Sequence, residues 1–139
     1  MILQDIPNPI VFSAFKNSGA VSSGEYIRNF NGFLTNYGNS FSLKFGIFTS
    51  PRQGVFEFSA TIHHITSGSH HLIVEKSNHQ VLEFFSHAEY EDSNDDPLSF
   101  SWIMELQQGD TVRLKVTAGI FHAESYAYWM FNGKFIRNI

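Results

Sequence analysis

Gly46-Ile47-Phe48-Thr49-Ser50-Pro51-Arg52-Gln53-Gly54-Val55-Phe56-Glu57-Phe58-Ser59 is a turn followed by a strand. Pro51 presets its own φ and Gly54 accepts backbone geometry that a β-carbon forbids, so the chain reverses between them. Beyond the turn, Phe56, Phe58, Ala60 and Ile62 alternate with Glu57, Ser59, Thr61 and His63. A period of two puts the first set on one face and the second on the other. That is a strand with one side on a core.

The same reasoning extends in both directions. Upstream, residues 9–15 read as a first strand and residues 16–24 as a Ser/Gly-rich connection. Residues 27–35 predict a strand pair around Asn31-Gly32, because Asn-Gly suits positive φ. Phe41, Leu43 and Phe45 alternate with Ser42 and Lys44, which predicts a half-buried strand. Downstream, the central strand runs to about Ile65, turns at Thr66-Ser67-Gly68-Ser69 and returns over residues 70–76. Residues 80–87 follow, and residues 89–97 are the longest non-strand segment. Phe100, Trp102, Met104 and Leu106 alternate, as do Val112, Leu114 and Val116 after the Gly109-Asp110 turn. Residues 117–124 read as a loop and residues 126–136 as the closing strand. No stretch keeps a 3.6 period and no segment repeats. About ten short strands with frequent turns predict a two-sheet, all-β sandwich.

Composition narrows the function. The chain has 139 residues, read as one domain over 1–139, and 42% of them are hydrophobic with 15 phenylalanines. Aromatics at that density suit interdigitating sheets better than a helical bundle. With no cysteine, neither a disulfide frame nor a thiolate metal site is available. The net charge of −4 argues against a nucleic-acid partner, which needs clustered Lys and Arg. No apolar run is long enough to span a bilayer, so no membrane insertion is expected. The first residues lack the basic and apolar regions of a signal peptide, and there is no N-glycosylation sequon.

Several blocks carry a family resemblance. The opening stretch resembles the Gly-x-Phe-Thr-x-Pro-x-x-Gly-x-aromatic-x-Phe-Ser signature of the globular C1q domain. Thr35-Asn36-Tyr37-Gly38-Asn39-Ser40-Phe41 resembles that family's Asn-x-Gly turn, and Leu106-Gln107-Gln108-Gly109-Asp110-Thr111-Val112 its Leu-x-x-Gly-Asp-x-Val hairpin. Phe131-Asn132-Gly133-Lys134-Phe135-Ile136 resembles its last strand. The resemblance implies a ten-stranded jelly-roll β-sandwich of two antiparallel sheets, shared with tumour necrosis factor, and a compact homotrimer. No (Gly-X-Y) collagen-like stalk is present in this sequence. Secretion, and innate immune recognition of cell-surface glycans or glycoconjugates, are what the resemblance implies for function. A trimeric signalling ligand for a protein receptor is the alternative, and a structural or storage protein the third.

The candidate sites follow from residue chemistry. His63, His64, His70 and His71 would bring two imidazoles onto one face if residues 62–65 paired with 70–72 as a hairpin, but zinc asks for three or four ligands. Their plainer role is polar strand-end packing. Glu89, Glu91, Asp92, Asp95 and Asp96 offer oxygens for calcium, without the glycine and spacing of an EF-hand. Some members of the resembled family hold calcium through aspartates after the central strand. The matching residues 68–78 contain no Asp, so no cofactor is expected. Nucleophile-elbow, zincin and phosphate-loop motifs are missing, so no catalytic residue is assigned and no enzyme is expected.

For ligand binding, aromatic rings stack on sugar C–H faces while amides, carboxylates and cations satisfy polar groups. Loop positions of that kind are Asn36, Tyr37 and Asn39, and Tyr90, Asp92 and Asn94. Arg113 and Lys115 share one strand face and, with Arg28 and Arg52 near turns, are the cations that would meet an acidic sugar such as sialic acid.

Overall fold

The computed structural model describes residues 9–88 and 96–139, which form twelve strands. They are β1 (Val11–Lys16), β2 (Gly19–Ser22), β3 (Gly32–Tyr37), β4 (Phe41–Ser42), β5 (Ile47–Thr49) and β6 (Gly54–His64). There follow β7 (Gly68–Lys76), β8 (His79–Ala88), β9 (Asp96–Leu106), β10 (Thr111–Ala118), β11 (Ile120–Ala123) and β12 (Trp129–Arg137). Ten of them make two antiparallel five-stranded sheets, ordered β3-β1-β12-β6-β9 and β4-β5-β10-β7-β8. The predicted jelly-roll sandwich is therefore observed. A short ribbon of β2 and β11 adds to it, formed by two segments that read as loops.

Strand β6 carries the predicted alternation without a break. Phe56, Phe58 and Ile62 are fully buried and Ala60 nearly so, while Val55, Glu57, Ser59, Thr61 and His63 are only partly covered. Phe58 lies opposite Gly133 on β12 and Trp102 on β9. Its ring stacks on Trp102 at 5.4 Å and meets the Phe48 edge from the other sheet at 5.3 Å. Phe12 extends the cluster, stacked on Phe41 at 4.4 Å and edge-on to Phe131 at 5.4 Å. Each buried ring of this kind contributes about 1.5–3 kcal/mol by leaving water.

The sequence blocks that carry the resemblance touch one another. The Ser50 amide donates to the Asp110 carbonyl and the Gly109 amide to the Ser50 carbonyl, both at 2.8 Å. Asp110 also accepts from the Gln107 amide at 2.8 Å and the Ser77 hydroxyl at 3.0 Å. The turn at residues 50–54 is thus locked to the β9–β10 turn. Gly54 in this turn and Gly46 ahead of it mark close approaches. A β-carbon on Gly46 (φ 67°) would lie 2.0 Å from the Ile27 carbonyl oxygen, and one on Gly54 2.3 Å from the Phe135 ring.

Two local expectations are corrected. Asn31-Gly32 is not a hairpin turn: the chain from Gly24 to Ile27 runs along β10, its backbone paired to Leu114 and Val116, and Gly32 starts β3. Nor do Phe41, Leu43 and Phe45 share a strand. β4 ends at Ser42, and a tight turn closed by the Gly46 amide on the Ser42 carbonyl (2.8 Å) leaves Phe45 exposed. Amides of Asn29 and Phe30 donate to the carbonyls of Lys44 and Leu43, so that turn is held from both sides.

Candidate functional site

The held turn positions Phe45 as a wall between two hollows. On one side a cavity of about 590 Å³ is lined by Asn39, Ser40, Ser42, Thr49 and Pro51 together with Phe45 and Ile47. Asn39 sits in the left-handed region (φ 47°), which an Asn side chain tolerates, at the turn into β4. On the other side a hollow of about 270 Å³ is lined by Glu25, Tyr26, Arg28 and Arg113, again with Phe45 and Ile47. Phe45 is 52% exposed, a ring offered to solvent rather than to the core.

Arg113 is fixed rather than free on its strand face. Its guanidinium lies 3.5 Å from the Tyr26 ring centroid, Nε is 3.4 Å from Glu75 Oε1, and Nη2 donates to Asn78 Oδ1 at 3.0 Å. Tyr26 donates its hydroxyl to the same Glu75 oxygen at 3.0 Å. Burial, then the Glu75 hydrogen bond, push the Tyr26 phenol above its ordinary pKa. Lys115 lies 5.1 Å over the same ring.

The remaining sequence candidates are dispersed. Asn36 and Tyr37 are exposed on the edge strand β3 and lie outside the described lining of both hollows. Tyr90, Asp92 and Asn94, like most of the acidic segment, fall outside the described residues. Arg52 stacks its guanidinium on Phe135 at 4.5 Å and donates to Asn138, and it is not in the described lining of either hollow. Tyr26 and Phe45 were missed: Phe45 reads as a strand residue, Tyr26 falls between the 16–24 connection and the 27–35 pair, and only the turn and the paired segment beside β10 bring them together.

A third concavity, about 470 Å³, lies on the outer face of the first sheet. Cross-strand register aligns Thr35, Ser13, Asn132, Ser59 and Ser101 in one row across all five strands. Ser13 donates to Asn132 Oδ1 at 2.5 Å, and Asn132 Nδ2 to Ser59 Oγ at 3.1 Å, so these groups largely satisfy each other.

The histidines do not form the predicted hairpin. β6 and β7 belong to different sheets, and His64 and His70 meet between them, both buried. His64 Nε2 is 2.6 Å from Ser86 Oγ, and its ring packs against His70 and Phe121. Among the described residues no three His, Asp or Glu side chains are arranged to hold a metal ion. Nor is any helix long and apolar enough to cross a membrane.

Two antiparallel five-stranded sheets in this order make a jelly roll of the C1q and tumour-necrosis-factor type. The C1q domain family matches residues 11–136, and the chain belongs to it. Among solved structures, the globular domain of zebrafish complement 1qA protein is similar at 23% identity and TM-score 0.76, over 94% of this chain and 99% of that one. Eiger TNF from S. frugiperda is similar at 11% identity and TM-score 0.77, over 96% of each chain. Murine APRIL follows at 10% identity and TM-score 0.65, over 90% of this chain and 99% of that one. No curated protein sequence matches the chain.

Proposed function

We propose that this is a secreted, non-enzymatic C1q-family lectin that binds cell-surface glycans as a homotrimer in innate recognition. The observation that carries the reading is the hollow beside Phe45. An exposed ring stands next to the amide of Asn39 and the hydroxyls of Ser40, Ser42 and Thr49. That is an apolar platform with oriented polar groups, the arrangement that holds a sugar ring. It rests on a rigid sandwich, where variable loop chemistry serves binding.

Single-site affinity for a monosaccharide is expected near ~1 mM, because a small polar ligand displaces well-bound water for little gain. The test is a glycan array followed by NMR titration with the sugars it selects. Phe45→Ala should weaken binding about tenfold, the worth of one stacking contact, with the fold intact. If no glycan binds and a cell-surface protein does, the chain is instead a trimeric ligand for a receptor.

A further inference from the structure

We propose that the hollow formed by Tyr26, Arg28, Phe45 and Arg113 is a subsite for the acid group of a saccharide, so that the protein selects carboxylated or sulfated glycans. This rests on the lectin reading above and extends it to a ligand class. The first reason is continuity. Phe45 and Ile47 line both hollows, so a ligand seated on Phe45 from the Asn39 side borders the hollow that holds Arg28.

The second reason is charge. The protein carries nine Lys and Arg against thirteen Asp and Glu. Yet Arg28, Lys44, Arg113 and Lys115 all border this groove, Lys44 lying 5.3 Å over the Phe45 ring and Lys115 5.1 Å over Tyr26. Two carboxylates accompany them, and both are engaged by the protein. Glu25 accepts the Ser22 amide at 2.7 Å. Glu75 is buried and accepts from Tyr26 and Arg113.

The third reason is donor geometry. A guanidinium has five N–H donors. Arg113 commits one to Glu75 and one to Asn78, so three remain on a group that Tyr26 holds flat. Arg28 is exposed and enters no ion pair among the described residues. Two guanidinium groups at one small hollow, one held by Tyr26, Glu75 and Asn78 and one exposed, suit planar carboxylate or sulfate oxygens.

The experiment titrates labelled protein by NMR with glucose, glucuronate, galactose, galactose 6-sulfate and sodium sulfate at low ionic strength. Each acidic sugar should bind about tenfold tighter than its neutral counterpart, the worth of one charge-assisted contact at a partly open site. Arg28→Ala should abolish that ratio and Arg28→Lys keep part of it. Equal affinity for acidic and neutral sugars, or a ratio untouched by Arg28→Ala, overturns the subsite and leaves the lectin reading standing. If sodium sulfate perturbs Arg28 and Arg113 but no sugar binds, the hollow is an anion site only and both readings fall. If nothing binds at all, the lectin reading fails and takes this one with it.

Discussion

His64 and His70 stack face to face between the two sheets, with ring centroids 3.7 Å apart and planes 12° from parallel. Phe121 from the β2–β11 ribbon meets both rings edge-on, at 5.6 and 5.4 Å. His70 Nδ1 is 3.1 Å from the Gly68 carbonyl, which only accepts, so Nδ1 carries the proton. Nε2 then accepts from the Thr66 hydroxyl at 2.8 Å. The neutral ring is fully hydrogen-bonded, and a second proton would place a charge where the rings meet.

That arrangement makes stability depend on pH. Burial, then the neighbouring His64, hold the His70 pKa below its ordinary value; the Gly68 hydrogen bond opposes them, and His122 and His87 add to the depression. Among the described residues, the titratable side chains that bear on the ring are histidines. Above the ordinary histidine value of about 6.5 neither folded nor unfolded chain is protonated here, and the contribution is complete. Between that value and the lower folded one the unfolded chain holds the extra proton, so stability falls as pH falls, by at most ~1.4 kcal/mol per pH unit per proton. Urea midpoints at pH 8, 7, 6 and 5 should decline over the last two steps, and His70→Phe should flatten the decline whatever its stability at pH 8. A wild-type midpoint that is level or rising toward pH 5 would contradict this.

The histidine pair also shows where sequence reading stops. Alternation tells which face of β6 and β7 each residue occupies, but not that the two strands lie in different sheets. Adjacent strands in sequence invite a hairpin; here the short link at residues 65–67 crosses the sandwich instead, and the rings meet through the interior. The β2–β11 ribbon was illegible for a related reason. Val21 pairs with Phe121 across a hundred residues, and neither segment is long enough to show a period. β6 itself was plain because a strict period of two coincides with a turn whose Pro and Gly have clear backbone roles. In the groove, Asn39 and Arg113 could be picked out as polar groups at a turn and on an open strand face. Phe45 could not, because its spacing from Phe41 imitates a strand that the turn at Gly46 prevents.

Gly46 is therefore a point at which the site itself can be broken. Gly24 also has positive φ (94°), but a β-carbon there meets nothing within 4 Å. Gly24→Ala carries only the left-handed penalty, about 1–2 kcal/mol. Gly46→Ala adds a collision with the Ile27 carbonyl, for about 2–5 kcal/mol in all. Chemical denaturation of the pair measures the difference, and glycan affinity should fall with Gly46→Ala alone. Equal losses of stability would mean that the turn tolerates a shift of the Ile27 segment.

The register of β6 is tested by neighbours on opposite faces. Phe58→Ala removes a ring packed against Phe12, Phe48, Phe56, Trp102 and Phe131 and should cost about 3–5 kcal/mol. Glu57 pairs with Lys134 at 3.5 Å on the open face, so Glu57→Ala should cost about 0–1 kcal/mol. Urea unfolding at neutral pH should separate them cleanly. Similar values would place Glu57 in a buried contact that an isolated chain does not show.

Such a contact bears on assembly. The edge of the sandwich formed by β8 and β9 is open, plugged by half-buried Phe84 and Phe100 stacked at 4.0 Å. Beside that plug Val81, Phe85 and Ile103 stand exposed, the last two at 67% and 62%. Ile103 also ends a row that crosses the first sheet through Glu57, Lys134 and Val11 to the exposed Tyr37. An apolar edge on one copy and an apolar-ended sheet face on the next suit head-to-tail contacts that close into a ring. Light scattering should give about 47 kDa, three chains of 15.8 kDa each. Ile103→Lys and Phe85→Lys together should lower that to one chain with the β-sheet circular dichroism unchanged. The dissociated variant should keep its single-site affinity for soluble sugar and lose about 10²–10⁴ in apparent affinity for glycan-coated cells, since three linked sites raise the effective concentration of one another. A wild-type mass of one chain at micromolar concentration, or a double variant that stays trimeric, would rule out this edge as the contact.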